Sequence, residues 1–81
     1  MYIMEERVKQ IIAALFEISA DEIFYESSPD TIENWDSLRH MNLVTALEEE
    51  FNIRLSDEQI GEMLNFQLVL IVLKENGVSL K

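Results

Sequence analysis

Hydrophobic residues recur at helical spacing in four segments of the chain, and the first two segments carry the clearest stripes. Positions that are three, four and seven residues apart lie on one face of an α-helix, so such a stripe predicts an amphipathic helix. The first helix is expected over residues 3–17, with the stripe Val8, Ile11, Ile12, Leu15 and Phe16. The second is expected to begin after an N-cap at residue 36, with the stripe Leu38, Met41, Val44, Leu47 and Phe51.

Two shorter helices are expected in the last third of the chain. Ser56 stands three residues before Gln59, which is the spacing of a capping box, and this opens a third helix that runs to about residue 64. A fourth helix is expected over residues 66–75, and the dipeptide Asn76-Gly77 that follows is a typical C-terminal stop. The apolar positions of these two helices are Ile60, Met63, Leu64, Phe66, Val69, Leu70 and Leu73.

Residues 19–36, between the first two helices, are predicted to form an irregular loop. The loop contains Ser27-Ser28-Pro29-Asp30, a strong turn cluster, and its length of about 17 residues is typical of a functional loop. Its apolar residues are expected to fold back onto the core, and they are Ile23, Phe24, Ile32 and Trp35. The pattern therefore predicts a single all-α domain over residues 1–81, a small four-helix bundle with three longer helices and a short third one.

Composition adds a strong negative charge to this picture. The chain has 81 residues, of which 16 are Asp or Glu and 6 are Lys or Arg, so its net charge is −10. Such a charge repels phosphate backbones and anionic membrane surfaces, so nucleic acid is excluded as a partner and basic protein surfaces are expected. The chain has no cysteine, which excludes a disulfide scaffold, a thiol nucleophile and a cysteine-based zinc site.

The sequence predicts neither a signal peptide nor a membrane-spanning helix. Residues 1–6 lack the basic stretch followed by an apolar run that marks a signal peptide. The longest apolar run, residues 68–73, is far shorter than the roughly 20 residues that span a bilayer. We therefore expect a cytoplasmic protein without membrane insertion, and a monomer by default.

Few residues are available for catalysis. The single histidine, His40, shares a helix face with Ser37, because the two are three residues apart. No acid is placed to orient the imidazole, so a small serine hydrolase is not expected, and His40 is interpreted as a surface or partner-facing residue. The chain also lacks a glycine-rich phosphate loop, and we expect neither an enzyme nor a metal site.

Ser37 is the most informative polar residue. It follows the long loop and opens the second helix directly after Asp36, whose carboxylate is a good N-cap. A serine in this place is generally a capping or solvated residue. The place also suits a covalently attached phosphate, because free N–H groups and the helix dipole favour an anion there, and a modified hydroxyl would leave the core stripe undisturbed.

Residues 35–51, with the sequence WDSLRHMNLVTALEEEF, resemble the acyl carrier protein family. The hallmark of that family is Asp-Ser-Leu at the opening of the second helix, followed by an apolar stripe and an acidic Leu-Glu-Glu-x-Phe segment. Residues 53–60 resemble the family's connection into its short third helix. Asp-Ser-Leu alone is a weak signal, but together with the acidic segment in an acidic chain of this length it is strong.

This resemblance implies a carrier with 4′-phosphopantetheine on Ser37. A separate phosphopantetheinyl transferase would supply the arm from coenzyme A, and the thiol of the arm would carry an acyl group as a thioester. Asp36 would cap the helix and help the transferase and its metal, and Leu38 would give the transferase a small apolar contact. The resemblance also implies an acyl pocket, for which ordinary core packing is the other interpretation, and its candidates are Leu47, Phe51, Ile60 and Met63.

A docking face for partner enzymes is expected along the second helix. Glu48 and Glu49 match the acidic docking positions of the family and would pair with basic patches on acyl-transferring, ligase or ketosynthase-type enzymes. Arg39 and Met41 are further docking candidates on the same helix. By physical chemistry alone, the run of three acids from Glu48 opposes the helix dipole, and it either serves a purpose or forms a solvated face.

The chain departs at three positions from the pattern of many fatty-acid carriers. Trp35 precedes the aspartate where those carriers have a small residue, and Arg39 and Asn42 stand where they often have acids. These departures indicate a specialised, free-standing carrier for polyketide, modified-lipid or surface-polysaccharide assembly, although Trp35 is also interpretable as a loop anchor on the bundle. Two alternatives are an aminoacyl or peptidyl carrier of the same fold, which the acidic cluster disfavours, and an unmodified acidic helical adaptor for a basic partner.

Overall fold

The computed structural model describes residues 4–78, which form four α-helices and one short 3-10 helix. The helices are α1 (Met4–Phe16), α2 (Ser37–Phe51), α3 (Asp57–Glu62) and α4 (Phe66–Glu75), and the 3-10 helix spans Ala20–Glu22. No strand occurs within the described range. The predicted all-α bundle with a short third helix is therefore confirmed, while Ile3, predicted to open the first helix, lies outside the described residues.

The inner faces of α1, α2 and α4 form the core. Their buried side chains include Met4, Val8, Ile12 and Phe16 of α1, Leu43, Val44 and Leu47 of α2, and Phe66, Val69 and Leu73 of α4. The stripe predicted for α2 is wrong at its start, because Leu38 is 71% exposed and Met41 is 48% exposed. The apolar face of α2 therefore enters the core only from its second turn onward.

Helices α1, α2 and α4 end in the same way, with one residue in the left-handed conformation. The φ angle is 59° at Glu17, 54° at Asn52 and 86° at Gly77. In α2 the N–H of Ile53 then donates to the Glu48 carbonyl at 3.1 Å, and equivalent bonds close the other two helices. This is the Schellman motif, in which orphan carbonyls of the last turn find partners. The stop predicted at residues 76–77 is confirmed.

The loop between α1 and α2 packs against the core, as its apolar residues predict. Its buried residues are Ile23, Ser27, Ile32 and Trp35, whereas Phe24, predicted to be among them, is exposed. The carbonyls of Tyr25 and Ser27 accept hydrogen bonds of 2.9 Å from the N–H groups of Gln67 and Phe66. The loop thereby satisfies free donors in the first turn of α4, and these two bonds tie it to that helix.

Helix α3 has the predicted capping box but is shorter than predicted. Ser56 Oγ accepts from the Gln59 N–H at 3.1 Å, and Gln59 Oε1 accepts from the Ser56 N–H at 3.2 Å. The helix ends at Glu62 instead of residue 64, because Met63 has the non-helical angles φ −81° and ψ 67°. Met63 is buried, and Leu64, predicted as an apolar position of the helix, is 63% exposed.

Candidate attachment site at the start of α2

Ser37 is the first residue of α2, and its side chain is exposed. Asp36 is the N-cap, as predicted, with Oδ1 accepting the Arg39 N–H at 2.8 Å. Among residues 4–78 no hydrogen-bond partner is found for the Ser37 hydroxyl. The cap is thus provided by the neighbouring aspartate, which leaves the serine oxygen free at the positive end of the helix dipole.

Arg39 lies on the surface beside the serine and is already paired. Its guanidinium lies 3.3 Å from Asp36 Oδ2 and 3.6 Å from Glu17 Oε2. Both carboxylates are well exposed, so these ion pairs contribute at most about 1 kcal/mol each. The pairs nevertheless bring the end of α1 and the start of α2 together, and they compensate the positive charge where the family pattern often has an acid.

A groove of about 590 Å³ opens beside Ser37, between the start of α2, the end of the long loop and α3. Its size is within the range of small-molecule sites. Six of its lining side chains are apolar, and they are Pro29, Trp35, Met41, Ile60, Met63 and Leu64. The polar side chains at the groove are Asp36, Ser37 and His40, and Gly61 completes it. The exposed hydroxyl therefore lies at the edge of an apolar depression.

His40 is half-buried and lines this groove, so it is less exposed than a typical surface residue. The Trp35 Nε1–H group donates to His40 Nδ1 at 2.9 Å, and His40 Nε2 lies 3.0 Å from the Ile60 carbonyl oxygen. Because an indole N–H can only donate, Nδ1 accepts, and the ring proton is on Nε2 and points to Ile60. His40 and Ser37 share a helix face as predicted, but both imidazole nitrogens are engaged elsewhere.

Acyl carrier proteins are among the known proteins that are similar to this chain. An acyl carrier protein of Buchnera aphidicola subsp. Acyrthosiphon pisum (strain Tuc7) is 43% identical over 62 residues, which cover 76% of each chain. Another, from Buchnera aphidicola subsp. Baizongia pistaciae (strain Bp), is 33% identical over 72 residues, covering 89% of this chain and 92% of its own. The chain belongs to the acyl carrier protein family. A scan against protein-family models finds no match.

The fold of the acyl carrier proteins is also found among solved structures. The solution structure of holo acyl carrier protein from Geobacter metallireducens superposes with a TM-score of 0.79 at 24% identity, covering 89% of this chain and 83% of its own. At this identity the likeness concerns the fold. Members of the family carry acyl groups on a phosphopantetheine arm and are carriers rather than catalysts.

The four candidates for an acyl pocket in this carrier separate into two pairs. Ile60 and Met63 line the groove beside Ser37. Leu47 is fully buried in the core, and Phe51 is half-buried and packed against it. Neither Leu47 nor Phe51 lines the groove. Spacing along the helices could not separate the two pairs, because the groove depends on where the chain turns after α3.

The three consecutive acids at the end of α2 have three different environments. Glu48 is half-buried, and its Oε2 accepts the Leu55 N–H at 2.8 Å. Glu49 is exposed. Glu50 lies 2.9 Å from the Arg7 guanidinium, whose hydrogen bond holds the pKa of this carboxyl below its ordinary value. The carrier therefore uses two of the three acids to hold its own segments together, which the sequence run alone does not indicate.

The remaining described surface offers less to a ligand. Two further concavities, of about 270 and 360 Å³, share no residue with the groove beside Ser37. Within residues 4–78 no group of three His, Asp or Glu side chains is close enough to hold a metal ion. None of the described helices is both long and apolar enough to cross a bilayer.

Proposed function

We propose that this protein carries acyl intermediates as thioesters on a 4′-phosphopantetheine arm attached to Ser37. The observation that carries the proposal is the exposed, unpaired hydroxyl of Ser37 at the start of α2, beside an apolar groove. A modifying enzyme can reach this oxygen without disturbing the core. The chain has no cysteine, so the thiol needed for a thioester has to come from a prosthetic group.

Attachment is a phosphoryl-group transfer in which Ser37 is the acceptor. The hydroxyl oxygen forms a new bond to the phosphorus of coenzyme A that carries the pantetheine, and the adenosine 3′,5′-bisphosphate leaves. The hydroxyl proton passes to a base of the phosphopantetheinyl transferase. The resulting phosphodiester is an anion at a helix N-terminus, which the free N–H groups and the dipole stabilise. Asp36 holds the first turn of α2 in the conformation that presents the oxygen.

The groove beside Ser37 supplies an apolar surface for the carried chain. Ile60 and Met63 form part of its wall, and Met41 and Leu64 expose apolar surface at it. Burying an aliphatic chain against these side chains gains about 25 cal/mol per Å² of apolar area removed from water. We assign the shelter of the acyl group to this groove, with Leu47 and Phe51 as candidates for a deeper pocket between the helices.

Partner enzymes are proposed to dock along the exposed face of α2. Leu38 and Met41 offer apolar contacts, and Glu49 offers a carboxylate that is exposed to solvent. Basic patches on a transferase, ligase or ketosynthase-type enzyme would complement this face and accelerate encounter. Because Arg39 is paired with Asp36 and Glu17, the region next to the serine is less acidic than the end of α2.

This charge pattern supports a specialised pathway over housekeeping fatty-acid synthesis. Arg39 and Asn42 stand on the exposed side of α2 near the arm, at positions where many fatty-acid carriers have acids. An enzyme whose basic residues pair with acids at those positions binds this carrier more weakly than it binds a carrier that has the acids. We therefore propose service in polyketide, modified-lipid or surface-polysaccharide assembly, and we expect poor elongation by a reconstituted housekeeping ketosynthase.

The attachment is tested by intact-mass measurement after incubation with coenzyme A and a broad-specificity transferase. We expect the mass of one phosphopantetheine to be added to the wild type and none to be added to Ser37→Ala. Thr45→Ala is the matched control, since Thr45 is another exposed hydroxyl of α2, and it should be modified like the wild type. An unmodified wild type beside a carrier that the same enzyme modifies would support an unmodified acidic adaptor instead.

A further inference from the structure

Helix α3 forms one side of the groove but is weakly anchored by its own side chains. It has six residues, and none of them is buried. Ile60 and Gln59 are half-buried, and the first apolar residue to enter the core is Met63, after the helix has ended. A helix of this length is not stable by itself, so its position depends on contacts made at a few points.

The Ile60 carbonyl makes one of the contacts that position α3. It lies in the last turn of α3, where carbonyls have no regular helical partner. Its backbone contact is the Met63 N–H at a long 3.4 Å, and His40 Nε2 lies closer, at 3.0 Å. The imidazole therefore provides the better hydrogen bond to the end of α3, and it links this end directly to α2.

Trp35 engages the other imidazole nitrogen of His40, Nδ1. Trp35 is buried, its indole ring lies 5.2 Å from the Phe16 ring, and its N–H group donates to His40 Nδ1. Asn34, the residue before it, donates to the Phe16 carbonyl at 2.7 Å. The end of the loop is thus held against the end of α1, and the imidazole extends this rigid unit to α3.

We infer that His40 is a positioning residue for the carried acyl chain: by accepting from Trp35 and donating to the Ile60 carbonyl, it sets the distance between α2 and α3 and thereby the shape of the groove beside Ser37. This inference rests on the proposed attachment at Ser37 for its functional meaning. The hydrogen bonds themselves are properties of the unmodified protein. The role requires one acceptor and one donor side by side, which neutral imidazole provides through its two nitrogens.

The first test concerns the hydrogen bonds in the unmodified protein by NMR. Trp35 is the only tryptophan, so its indole N–H gives a single resonance. We expect imidazole ¹⁵N shifts of the Nε2–H form and a slow exchange of the indole proton, which accelerates in His40→Phe and stays slow in His40→Gln. The amide of glutamine keeps an acceptor and a donor, whereas phenylalanine keeps only the ring. An Nδ1–H form, or equal exchange in wild type and His40→Phe, overturns the inference.

The second test concerns shelter of the cargo. Octanoyl-coenzyme A and a broad-specificity transferase load the carrier, and hydroxylamine then converts the thioester to a hydroxamate and releases the thiol of the arm. We expect cleavage to be faster in His40→Phe by roughly 2- to 10-fold, the population change that losing one ordinary hydrogen bond produces. His40→Gln should restore the wild-type rate, which a general loss of packing at this position would not explain.

Two further variants keep the outcomes distinguishable. Trp35→Phe retains a ring against Phe16 but removes the indole donor, so it should accelerate cleavage even if His40→Phe does not fold. Thr45→Ala, on α2 but outside the groove, should not change the rate. If the wild type accepts no arm, the proposed function fails. If it is loaded and cleavage is equally fast in all variants, only the role of His40 is overturned.

Discussion

The two halves of α2 follow one helical stripe but meet different environments. In the first half, Leu38 and Met41 are exposed beside Ser37, whereas in the second half Val44 and Leu47 are buried. Both pairs have the spacing that places apolar residues on one face of a helix. The difference teaches that one amphipathic stripe can meet two environments, since the end of α2 builds the core and its start leaves apolar side chains exposed to solvent.

The surroundings of the two halves explain this difference. The second half contributes Val44 and Leu47 to the buried core that α1 and α4 also build, for example with Val8 and Phe66. The first half faces the groove, whose opposite side is α3, a helix without a buried residue. Burying apolar surface stabilises a protein by about 25 cal/mol per Å². The exposed leucine and methionine do not contribute this free energy to folding, but they can contribute it to binding. Contiguous exposed apolar surface is typical of interaction sites, which is the role proposed for this face.

The largest expected effect comes from truncating the same side chain in each half. Leu47→Ala should lower the free energy of unfolding by about 2–5 kcal/mol, because it removes buried methyl groups and leaves a cavity. Leu38→Ala should change it by less than about 0.5 kcal/mol. Urea denaturation followed by circular dichroism measures both.

The rate of modification by the transferase should show the opposite order, with the larger effect at Leu38. In conditions where both variants are folded, Leu38→Ala is expected to be modified more slowly by the transferase than the wild type, since it removes an exposed apolar contact. Leu47→Ala should be modified at nearly the wild-type rate. A large loss of stability in Leu38→Ala would break the comparison between the two halves.

A second contrast compares Glu48, which accepts a hydrogen bond within the protein, with Glu49, for which we propose a docking role. Glu48→Ala should cost about 1–3 kcal/mol of stability, because the Leu55 N–H loses the carboxylate that accepts it. Glu48→Gln should recover most of that loss, since its amide oxygen still accepts. Glu49→Gln should leave stability unchanged and slow the partner reaction at low salt, with the difference fading at high salt.

The rate of the partner reaction at two salt concentrations tests the effect of Glu49→Gln. Thermal unfolding of the same samples tests the effect of the Glu48 variants. If Glu49→Gln has a wild-type rate at low salt, the docking role assigned to the exposed carboxylate is wrong. If Glu48→Ala is as stable as the wild type, the bond to the Leu55 N–H does not hold the segment after α2.

The smallest effect concerns the ion pair that fixes the end of α2 to α1. The Arg7 hydrogen bond lowers the pKa of Glu50 below its ordinary value of 4.5, so the folded state favours the charged carboxylate. The resulting stability is present above the ordinary pKa and is lost as the pH falls through the lowered one. Because the pair is partly exposed, the effect is about 0.2–1 kcal/mol.

Acid titration of stability measures this effect. Between neutral pH and the acid limb, wild type should lose slightly more stability than Glu50→Gln, which has no carboxyl to protonate at this position. Identical acid limbs for the two proteins would show that the Arg7–Glu50 pair adds nothing in solution.

Much of the fold was predictable because local rules decide it. The order of the four helices follows from apolar periodicity, and the starts of α2 and α3 follow from the capping residues Asp36 and Ser56. The left-handed end of α1 at Glu17 was not predictable, since glutamate is not a residue that favours this conformation. The left-handed end of α2 at Asn52 was only weakly predictable, because asparagine adopts this conformation less often than glycine.

The candidate site was predictable only in part. Ser37 and its aspartate cap follow from sequence, as does the general acidity of α2. The bonds from Trp35 and to Ile60 that engage His40 join three separate segments, so no spacing rule indicates them. The different environments of Glu48 and Glu49 likewise depend on how the chain turns after α2 to bring the Leu55 N–H to one carboxylate.

By itself, then, the amino-acid sequence determined which residues share a helix face, where three of the helices stop or start, and which serine opens α2. Tertiary structure alone decided which part of each apolar face is covered. Periodicity is a property of one helix, whereas burial depends on whether a distant segment reaches that face. The second half of α2 joins the core that α1 and α4 also build, whereas the loop and α3 meet its start around an open groove, which leaves apolar surface beside Ser37.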